Sequence, residues 1–398
     1  MPWPQARSVA HAAGAALAPG AVEVPLAEAD GTVLAGPLVA RTDLPAFPTS
    51  SVDGWAVRGP APWRITGRIL AGAPAGPLVE DGTCVQIATG AMVPTGTEQI
   101  VRVEDSTVES ERVTGQARPV PEWREPGDEC RRGEQLLPAG TPVTPGVIGL
   151  AASCGYDTLP VRPVPPAAVL VFGDELLTTG LSGEGRIRDA LGPALPAWLR
   201  RLGTGCGPAT GPIEDTLEAH VGAVRDALAA GAALVCTTGG TMHGPVDHLH
   251  ATLEKLGATY LVDKAAVRPG FPMLLASVPR PDGGATLLAG LPGNPQSAII
   301  ALLTLVTPAM SGIRGGGLPP LGRVRLGAPV PGRGGHTHLA LVRRGADGLG
   351  YPVEHVGSAM LRGLAQAIGF AVIPPQRSGA AGDEVEFLPL PIVEGEVP

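Results

Sequence analysis

The stretch from Ala232 to Gly257 constrains the fold of this chain more than any other. An apolar run from Ala232 to Cys236 predicts a buried strand, and the glycine-rich Thr237–Gly244 predicts a tight turn. A helical pattern of leucines then runs from near Asp247 to Gly257. A strand, a glycine turn and a helix in this order are typical of a parallel α/β sheet, and the turn amides and helix start favour anions. The alternative is an ordinary βα turn with Asp247 as a plain N-cap.

Strand and helix patterns alternate on both sides of this stretch, from Ala167 to about Thr304. Two of the other strand patterns end in Gly173-Asp174-Glu175 and in Leu291–Pro295. Because the carboxyl ends of parallel strands meet at one edge of a sheet, we expect these loops to lie beside the glycine turn. Carboxylates and backbone amides at one edge suit a phosphate ester with Mg²⁺.

Two pairs of cations are candidates for anion binding. Arg131 and Arg132 are adjacent in a charged loop, where they would either clamp a phosphate or form a solvated turn. Lys264 and Arg268 lie four residues apart on a segment that Pro269 predicts to be extended.

Three histidines surround Asp247 in the sequence, which raises the question of a transition-metal site. His248 and His250 would point about 200° apart on a helix, because each residue turns the helix by about 100°. They would not chelate one ion together, so the sequence predicts no transition metal there.

The rest of the chain is rich in short strand patterns. Alternating segments between Trp63 and Arg118 predict a β-rich domain, and those after about Gly315 predict a small C-terminal β domain. The proline-rich segment 162–166 predicts a linker before the α/β region. With 398 residues the chain exceeds one typical core, so we expect several domains.

Composition excludes several classes of function. The net charge of −8 and the lack of a basic block argue against nucleic acid as a partner. The longest apolar run, Ala298–Val306, is too short to cross a bilayer, so no membrane association is predicted. Five scattered cysteines indicate neither a zinc site nor a disulfide framework and fit a reducing cytosol, so we expect a cytoplasmic protein. The absence of a nucleophile elbow, a P-loop and a dinucleotide fingerprint leaves serine hydrolases, P-loop NTPases and Rossmann dehydrogenases without support.

A set of short motifs recurs in a fixed order along nearly the whole chain. The motifs are Leu44-Pro45-x-Phe47, Ser51-x-Asp53-Gly54-Trp55-Ala56, Thr89-Gly90-Ala91-x-x-Pro94, Arg131-Arg132-Gly133-Glu134, Gly173-Asp174-Glu175-Leu176, Gly185-x-Ile187-x-Asp189, Thr238-Gly239-Gly240, Arg268-Pro269-Gly270-x-Pro272 and Leu291-Pro292-Gly293-Asn294-Pro295. In order and spacing this set resembles the molybdopterin molybdenumtransferases, the family of MoeA and the gephyrin E domain.

The resemblance implies a multidomain α/β and β fold. A split N-terminal domain would span residues 1–43 and 133–165, with a β-rich inserted domain at 44–132. A doubly wound α/β molybdopterin-binding domain would span 166–316, and a small C-terminal β-barrel would span 317–398. The family forms elongated homodimers, with the site between the α/β domain of one subunit and the β-rich part of the other.

The resemblance also implies an activity. Members take adenylylated molybdopterin and molybdate as substrates, insert the metal at the dithiolene sulfurs, and release AMP with the help of Mg²⁺. A molybdopterin adenylyltransferase upstream and molybdoenzymes downstream are the implied protein partners.

Site residues carry over by position in the motifs. The implied catalytic residues are Asp53, Thr89, Glu175 and Asp247. The implied substrate-binding residues are Arg131, Gly239, Gly240, Lys264, Arg268, Pro292, Gly293 and Asn294. Glu175, Asp215 and Asp247 are the implied ligands of Mg²⁺. Either Glu214 or Asp215 would match one acidic residue of the family.

Several positions depart from the family pattern, and four of them bear most on turnover. Gln135 stands where the family has an acidic residue, and Phe172 stands where it has Thr. Leu191 is the second residue of Ala190-Leu191, which stands where the family has a Ser-Asn pair. Phe271 stands where the family has a second Lys. Arg268 itself replaces a Lys. The alternative function is therefore a relative that binds pterin or a partner protein without turnover.

Overall fold

The computed structural model describes residues 1–242, 247–354 and 357–392. The helices are α1 Trp3–Ala16, α2 Pro145–Ser153, α3 Leu195–Arg201, α4 Leu217–Ala229, α5 Leu249–Lys255, α6 Pro295–Ala301 and α7 Thr307–Ile313. The strands up to the proline-rich linker are β1 Val22–Pro25, β2 Val33–Leu34, β3 Leu38–Val39, β4 Thr49–Ser50, β5 Gly54–Arg58, β6 Trp63–Ile69, β7 Thr83–Ile87, β8 Gln99–Arg102, β9 Ser106–Glu109, β10 Arg112–Gly115, β11 Trp123–Arg124, β12 Gln135–Leu137 and β13 Thr158–Arg162. The later strands are β14 Pro166–Phe172, β15 Leu176–Leu177, β16 Ile187–Arg188, β17 Gly205–Cys206, β18 Thr210–Ile213, β19 Leu234–Thr238, β20 Thr259–Asp263, β21 Val267–Arg268, β22 Leu274–Pro279, β23 Ala285–Leu291, β24 Gly322–Arg325, β25 Thr337–Arg344, β26 Gly350–Pro352, β27 Gly369–Ile373 and β28 Glu384–Pro389.

Packing divides the chain into two compact units. One, which we call the α/β unit, contains residues 1–22, 31–33 and the chain from Arg162 onward. The other, the β-rich unit, contains residues 23–30 and 34–161. The first helix therefore packs with the α/β sheet, although the sequence grouped residues 1–43 together. The predicted domain bounds themselves stay a prediction.

A seven-stranded mixed sheet forms the centre of the α/β unit, in the order β17-β14-β19-β23-β22-β20 with β18 also beside β14. The strands β14, β19 and β23 are parallel neighbours. The strands β22 and β20 add an antiparallel edge. The predicted parallel sheet is thus present at its centre, where the glycine turn follows β19.

Alternate side chains of these strands face two different cores, because successive residues of a strand point to opposite faces. Val169 and Val171 join one core with α1, α3, α6 and α7. Leu170 and Phe172 join the other core with α4 and α5. Helices cover both faces, so both sides of the sheet are dry.

The apolar helical segment Pro295–Ile313 is the core helix of this unit. It runs from α6 through a π-helical segment, Leu302–Val306, into α7. By length and composition it would suffice to cross a membrane, with a mean hydropathy of 1.5, but 89% of that stretch is buried within the protein. Such burial is the pattern of a core helix in a globular domain.

Helices α1 and α7 approach closely at glycines. The buried residues Trp3, Ala6, Ala10 and Gly14 form one stripe of α1 at helical spacing. A Cβ atom at Gly14 would overlap the backbone carbonyl of Ala309 on α7. Only glycine allows this contact.

We expect Gly14→Ala to lower the stability of the α/β unit by about 1–3 kcal/mol, because added atoms in a packed core force shifts of the backbone. Gly222→Ala is the matched control, since Gly222 lies inside α4 with no atom within 4 Å of the added Cβ. That change should stabilise the protein by about 0.5–1 kcal/mol through the helix propensity of alanine. Thermal unfolding of both variants measures the difference. An unchanged melting temperature for Gly14→Ala would contradict the close packing.

The β-rich unit is built on a six-stranded sheet in the order β8-β5-β7-β6-β10-β9. Trp55, Trp63 and Val101 fill the core on one face of this sheet. Arg102 donates two hydrogen bonds to Glu122, from Nε to Oε1 at 2.7 Å and from Nη2 to Oε2 at 3.0 Å. These bonds hold the pKa of Glu122 below its usual value.

The chain ends in a six-stranded sheet of the order β21-β25-β27-β28-β24, with β26 beside β25. Leu339, Leu341 and Phe370 of this sheet share one core with the α/β sheet. The predicted fold class, an α/β and β multidomain protein with a β-rich C-terminal part, is confirmed.

Candidate functional site

Three loops meet at one edge of the α/β sheet, as the sequence predicted. Val171 pairs with Thr238, and Thr238 with Leu291, so β14, β19 and β23 end side by side. The Gly239 amide donates to the carbonyl of Leu291 at 2.9 Å. The loops after these strands therefore contact one another and form a continuous rim.

The glycine turn after β19 is only partly available to a ligand. Gly239 and Gly240 have φ of +81° and +66°, a region that favours glycine. The Gly239 amide is used to hold the turn to β23, contrary to the expected row of outward-pointing amides. Within the described residues, the amides of Gly240 and Gly293 donate to no protein group. These two glycine amides are therefore available to an anion, and residues 243 and 244 of the predicted turn lie outside the described chain.

Two aspartates tie the first loop to the start of α4. The Asp174 amide donates to Oδ2 of Asp215, and the Asp215 amide donates to Oδ1 of Asp174, both at 3.3 Å. Thr216, next to Asp215, caps α4 by accepting from the Ala219 amide. We call this reciprocal pair the aspartate latch.

Glu175 lies directly over Gly173. A Cβ atom on Gly173 would come within 2.6 Å of Oε2 of Glu175, and Gly173 has a φ of +139°. The Glu175 side chain is exposed and accepts no hydrogen bond within the described residues. Its carboxylate thus lies close to Gly173 and remains open to solvent.

A buried histidine, His220, lies beside the aspartate latch. His220 is 1% exposed and stacks on Phe172, with ring centroids 3.7 Å apart and planes 12° apart. Burial lowers the pKa of His220, so its ring is neutral at neutral pH. Its Nε2 lies 3.5 Å from Oδ1 of Asp215, too long for a normal hydrogen bond. Sequence reasoning missed His220, whose only signal is a histidine within a helix that is otherwise apolar on that side.

The next histidine also contacts this loop. His248 donates from Nε2 to the backbone carbonyl of Asp215 at 2.9 Å. It occupies the N-cap position of α5, which begins at Leu249, so Asp247 is not the N-cap. His250 instead contacts the Tyr260 hydroxyl at 2.6 Å, which agrees with the expectation that His248 and His250 diverge.

A polar cleft of about 370 Å³ opens beside the first loop. Its lining includes Asp174, Glu214 and Arg186 together with the hydroxyls of Thr178 and Thr179. This mixture of donors, acceptors and charges suits a polar ligand rather than an apolar one.

In the β-rich unit the structure pairs two predicted site residues. The Thr89 amide donates to Oδ1 of Asp53 at 2.7 Å, and the Thr89 hydroxyl donates to the same oxygen at 3.1 Å. Both residues are exposed. One carboxylate oxygen of Asp53 is therefore fixed while the other stays open.

Among the predicted cations, Arg131 and Arg268 are exposed and Lys264 is half-buried, and none forms an ion pair with another described residue. The Arg131 amide donates to the Glu134 carboxylate at 3.1 Å, and the Arg131 side chain is exposed to solvent. Lys264 precedes β21 with a φ of +61°. Arg268 ends β21, and its side chain contacts the ring of Phe271.

The fold accommodates each of the four departures from the family pattern. Phe172 stacks on His220, and Leu191 is 6% exposed in the main core. Gln135 is exposed at the start of β12, and the Phe271 ring contacts the Arg268 guanidinium. None of the four interrupts a strand or a helix, so the fold tolerates these departures.

The described residues contain no group of three or more His, Cys, Asp or Glu that would hold a metal by themselves. Glu175, Asp215 and Asp247 therefore do not form a three-ligand cage. Mg²⁺ usually takes one or two carboxylates and completes its shell with water and substrate phosphates. The open carboxylate of Glu175 and the neighbouring latch oxygens fit that kind of site.

These observations define a class: a multidomain α/β protein with an acidic, glycine-rich rim at the carboxyl ends of parallel strands. Family models match three consecutive regions: the MoeA N-terminal region (domain I and II) at residues 1–155, a probable molybdopterin binding domain at 168–312, and the MoeA C-terminal region (domain IV) at 323–390.

Relatives that match most of this chain are named molybdopterin molybdenumtransferase. The molybdopterin molybdenumtransferase of Synechococcus elongatus is 32% identical over 387 residues, covering 92% of this chain and 94% of that protein. Molybdopterin molybdenumtransferase 2 of Mycobacterium tuberculosis is 33% identical over 330 residues, covering 78% and 77%. The crystal structure of a molybdopterin biosynthesis MoeA protein from Pyrococcus horikoshii superposes with a TM-score of 0.78 at 24% identity, covering 98% and 99%, which supports the fold. The chain belongs to the molybdopterin molybdenumtransferase (MoeA) family, a family of transferases in molybdenum cofactor biosynthesis.

Proposed function

We propose that this protein inserts molybdate into adenylylated molybdopterin and releases AMP, with Mg²⁺ as its cofactor. The observation that carries the proposal is the rim of the α/β sheet, where an open carboxylate, a polar cleft and unpaired glycine amides follow adjacent parallel strands. Membership of the family supplies the substrate class. We also propose that the protein works as a cytoplasmic homodimer that receives its substrate from an adenylyltransferase and supplies molybdoenzymes.

The phosphate of the substrate would be bound by the rim. The amides of Gly240 and Gly293 would donate to phosphate oxygens, and Arg268 and Lys264 would offset the anionic charge. Pro292 and Asn294 would shape the third loop around the ligand. Arg131 would contribute a further cation.

Mg²⁺, when bound, would neutralise charge on the phosphoryl oxygens. Glu175 would hold it, with Asp215 and Asp247 as further acids of this rim. The aspartate latch would keep Asp215 in place, because its carboxylate is fixed by the amide of Asp174.

Asp53 and Thr89 would act on the water molecule that attacks the substrate. Thr89 fixes one oxygen of Asp53 by two hydrogen bonds. The other oxygen would take a proton from a water molecule that attacks the phosphorus of the adenylyl group, while the bond from that phosphorus to the bridging oxygen breaks and AMP leaves; a positioned carboxylate is effective in this role.

The test is AMP release from adenylylated molybdopterin by the purified protein with Mg²⁺, with and without molybdate. We expect molybdate-dependent release. Tight binding of the substrate without release of AMP would contradict the proposal and favour a relative that binds pterin without turnover. Omission of Mg²⁺ should abolish the release, and release at the full rate in a chelator would overturn the Mg²⁺ assignment.

A further inference from the structure

Three side chains of the α/β unit lie in contact beside β21. The guanidinium carbon of Arg268 lies 5.3 Å from the centroid of the Phe271 ring. The His336 ring meets the same phenyl ring edge-on, with centroids 5.8 Å apart and planes 77° apart. We call Arg268, Phe271 and His336 the cation–aromatic cluster.

The backbone under this cluster is fixed. Arg268 pairs with His338 of β25, and the Phe271 carbonyl accepts from the Ala265 amide at 3.3 Å. Gly270 has a φ of +101°, and an added Cβ would lie 3.0 Å from Cγ2 of Ile300. The turn therefore fixes the backbone from which the Phe271 side chain projects.

The contact leaves the hydrogen-bonding edge of Arg268 open. Other arginines use that edge on carboxylates: Arg58 donates to Asp81, and Arg102 donates twice to Glu122. Arg268 is exposed and makes no ion pair within the described residues. An aromatic ring attracts a guanidinium without accepting its N–H hydrogen bonds, so these donors of Arg268 stay free for a ligand.

We propose that Phe271 is a positioning residue, which holds the Arg268 guanidinium ready for a tetrahedral oxyanion. This inference rests on the proposed function, in which Arg268 binds an anionic part of the substrates. The oxyanion is either molybdate itself or the phosphate of the nucleotide. A lysine at position 271 would add a charge but no surface to orient Arg268.

The test uses calorimetric titration of the full chain with sodium molybdate and, separately, with AMP. Arg268→Ala should weaken binding of the relevant oxyanion by at least about tenfold, because it removes charge-assisted hydrogen bonds. Phe271→Leu keeps an apolar side chain but removes the ring face, and should weaken the same binding by about two- to fivefold. Phe271→Tyr retains the face and should bind like the unmodified protein. The anion that responds identifies the source of the oxyanion.

Tyr351→Leu is the matched control, because Arg343 lies over Tyr351 at 5.7 Å in a similar pair that is not among the proposed site residues. It should leave both titrations unchanged. If Arg268→Ala weakens binding and Phe271→Leu does not, the positioning role is wrong while the anion role of Arg268 stands. Equal binding by Arg268→Ala, or no binding of either anion by the unmodified protein, overturns the inference at its base. Ring-dependent anion binding without any AMP release would leave the inference standing and reject the proposed function.

Discussion

Asp53→Asn is expected to lower kcat/KM for AMP release by about a hundredfold or more, the scale on which a positioned acid–base group contributes. The asparagine oxygen still accepts from the Thr89 amide and hydroxyl, which donate at 2.7 and 3.1 Å to one oxygen of Asp53. The substitution therefore removes the negative charge while it retains the tether between the two loops. A loss of activity would report on the charge.

The matched control for this change is Asp81→Asn. Asp81 is also an exposed aspartate of the β-rich unit, paired with Arg58 at 2.9 Å. It carries no predicted role in the site, so its variant should retain activity. Full activity of Asp53→Asn, measured beside this control, would remove Asp53 from the mechanism.

Gly173→Ala should lower the same rate constant by about ten- to a hundredfold, because small displacements of a catalytic group carry costs of this size. The new methyl group would meet the Glu175 carboxylate, whose Oε2 lies 2.6 Å from the Cβ position. Glu175 would have to leave its place over the rim. The variant should bind Mg²⁺ and substrate less well without unfolding the sheet.

Gly180→Ala separates displacement of the carboxylate from backbone strain. Gly180 also has a positive φ, +80°, but no atom lies within 4 Å of its added Cβ. Both variants should lose some stability, and only Gly173→Ala should lose activity. Equal losses of activity would show that loop strain, rather than Glu175, is responsible.

The two impaired variants, Asp53→Asn and Gly173→Ala, also test the proposed homodimer. If each site draws Asp53 from one subunit and Glu175 from the other, mixed dimers of Asp53→Asn and Gly173→Ala contain one intact site each. Random mixing would then restore about a quarter of the activity, as expected for a symmetric dimer. Activity that stays at the level of the separate variants would place each site within a single subunit.

The sequence was sufficient for the parts of the fold that depend on local patterns. Continuous apolar runs predicted β14, β19 and β23, and the loops after them predicted the rim, because adjacent parallel strands bring their carboxyl ends together. The β-rich character of the other regions followed from short alternating segments and frequent turns.

Contacts between distant residues were beyond such reasoning. The aspartate latch joins residues 41 apart, and His220 meets Phe172 only after α4 has packed against the sheet. The use of the Gly239 amide by Leu291 likewise depends on how β19 and β23 are aligned. Helix α5 begins after Asp247, and His248 at its N-cap position contacts the carbonyl of Asp215, which lies 33 residues earlier in the chain.

The aspartate latch makes two loops behave as one cooperative element. Each aspartate supplies both a donor and an acceptor, so opening either loop breaks both hydrogen bonds at once. We therefore expect the two loops to open together, because the free energy of breaking both bonds is the same whichever loop moves first. A ligand that holds one loop closed would then also restrain the other.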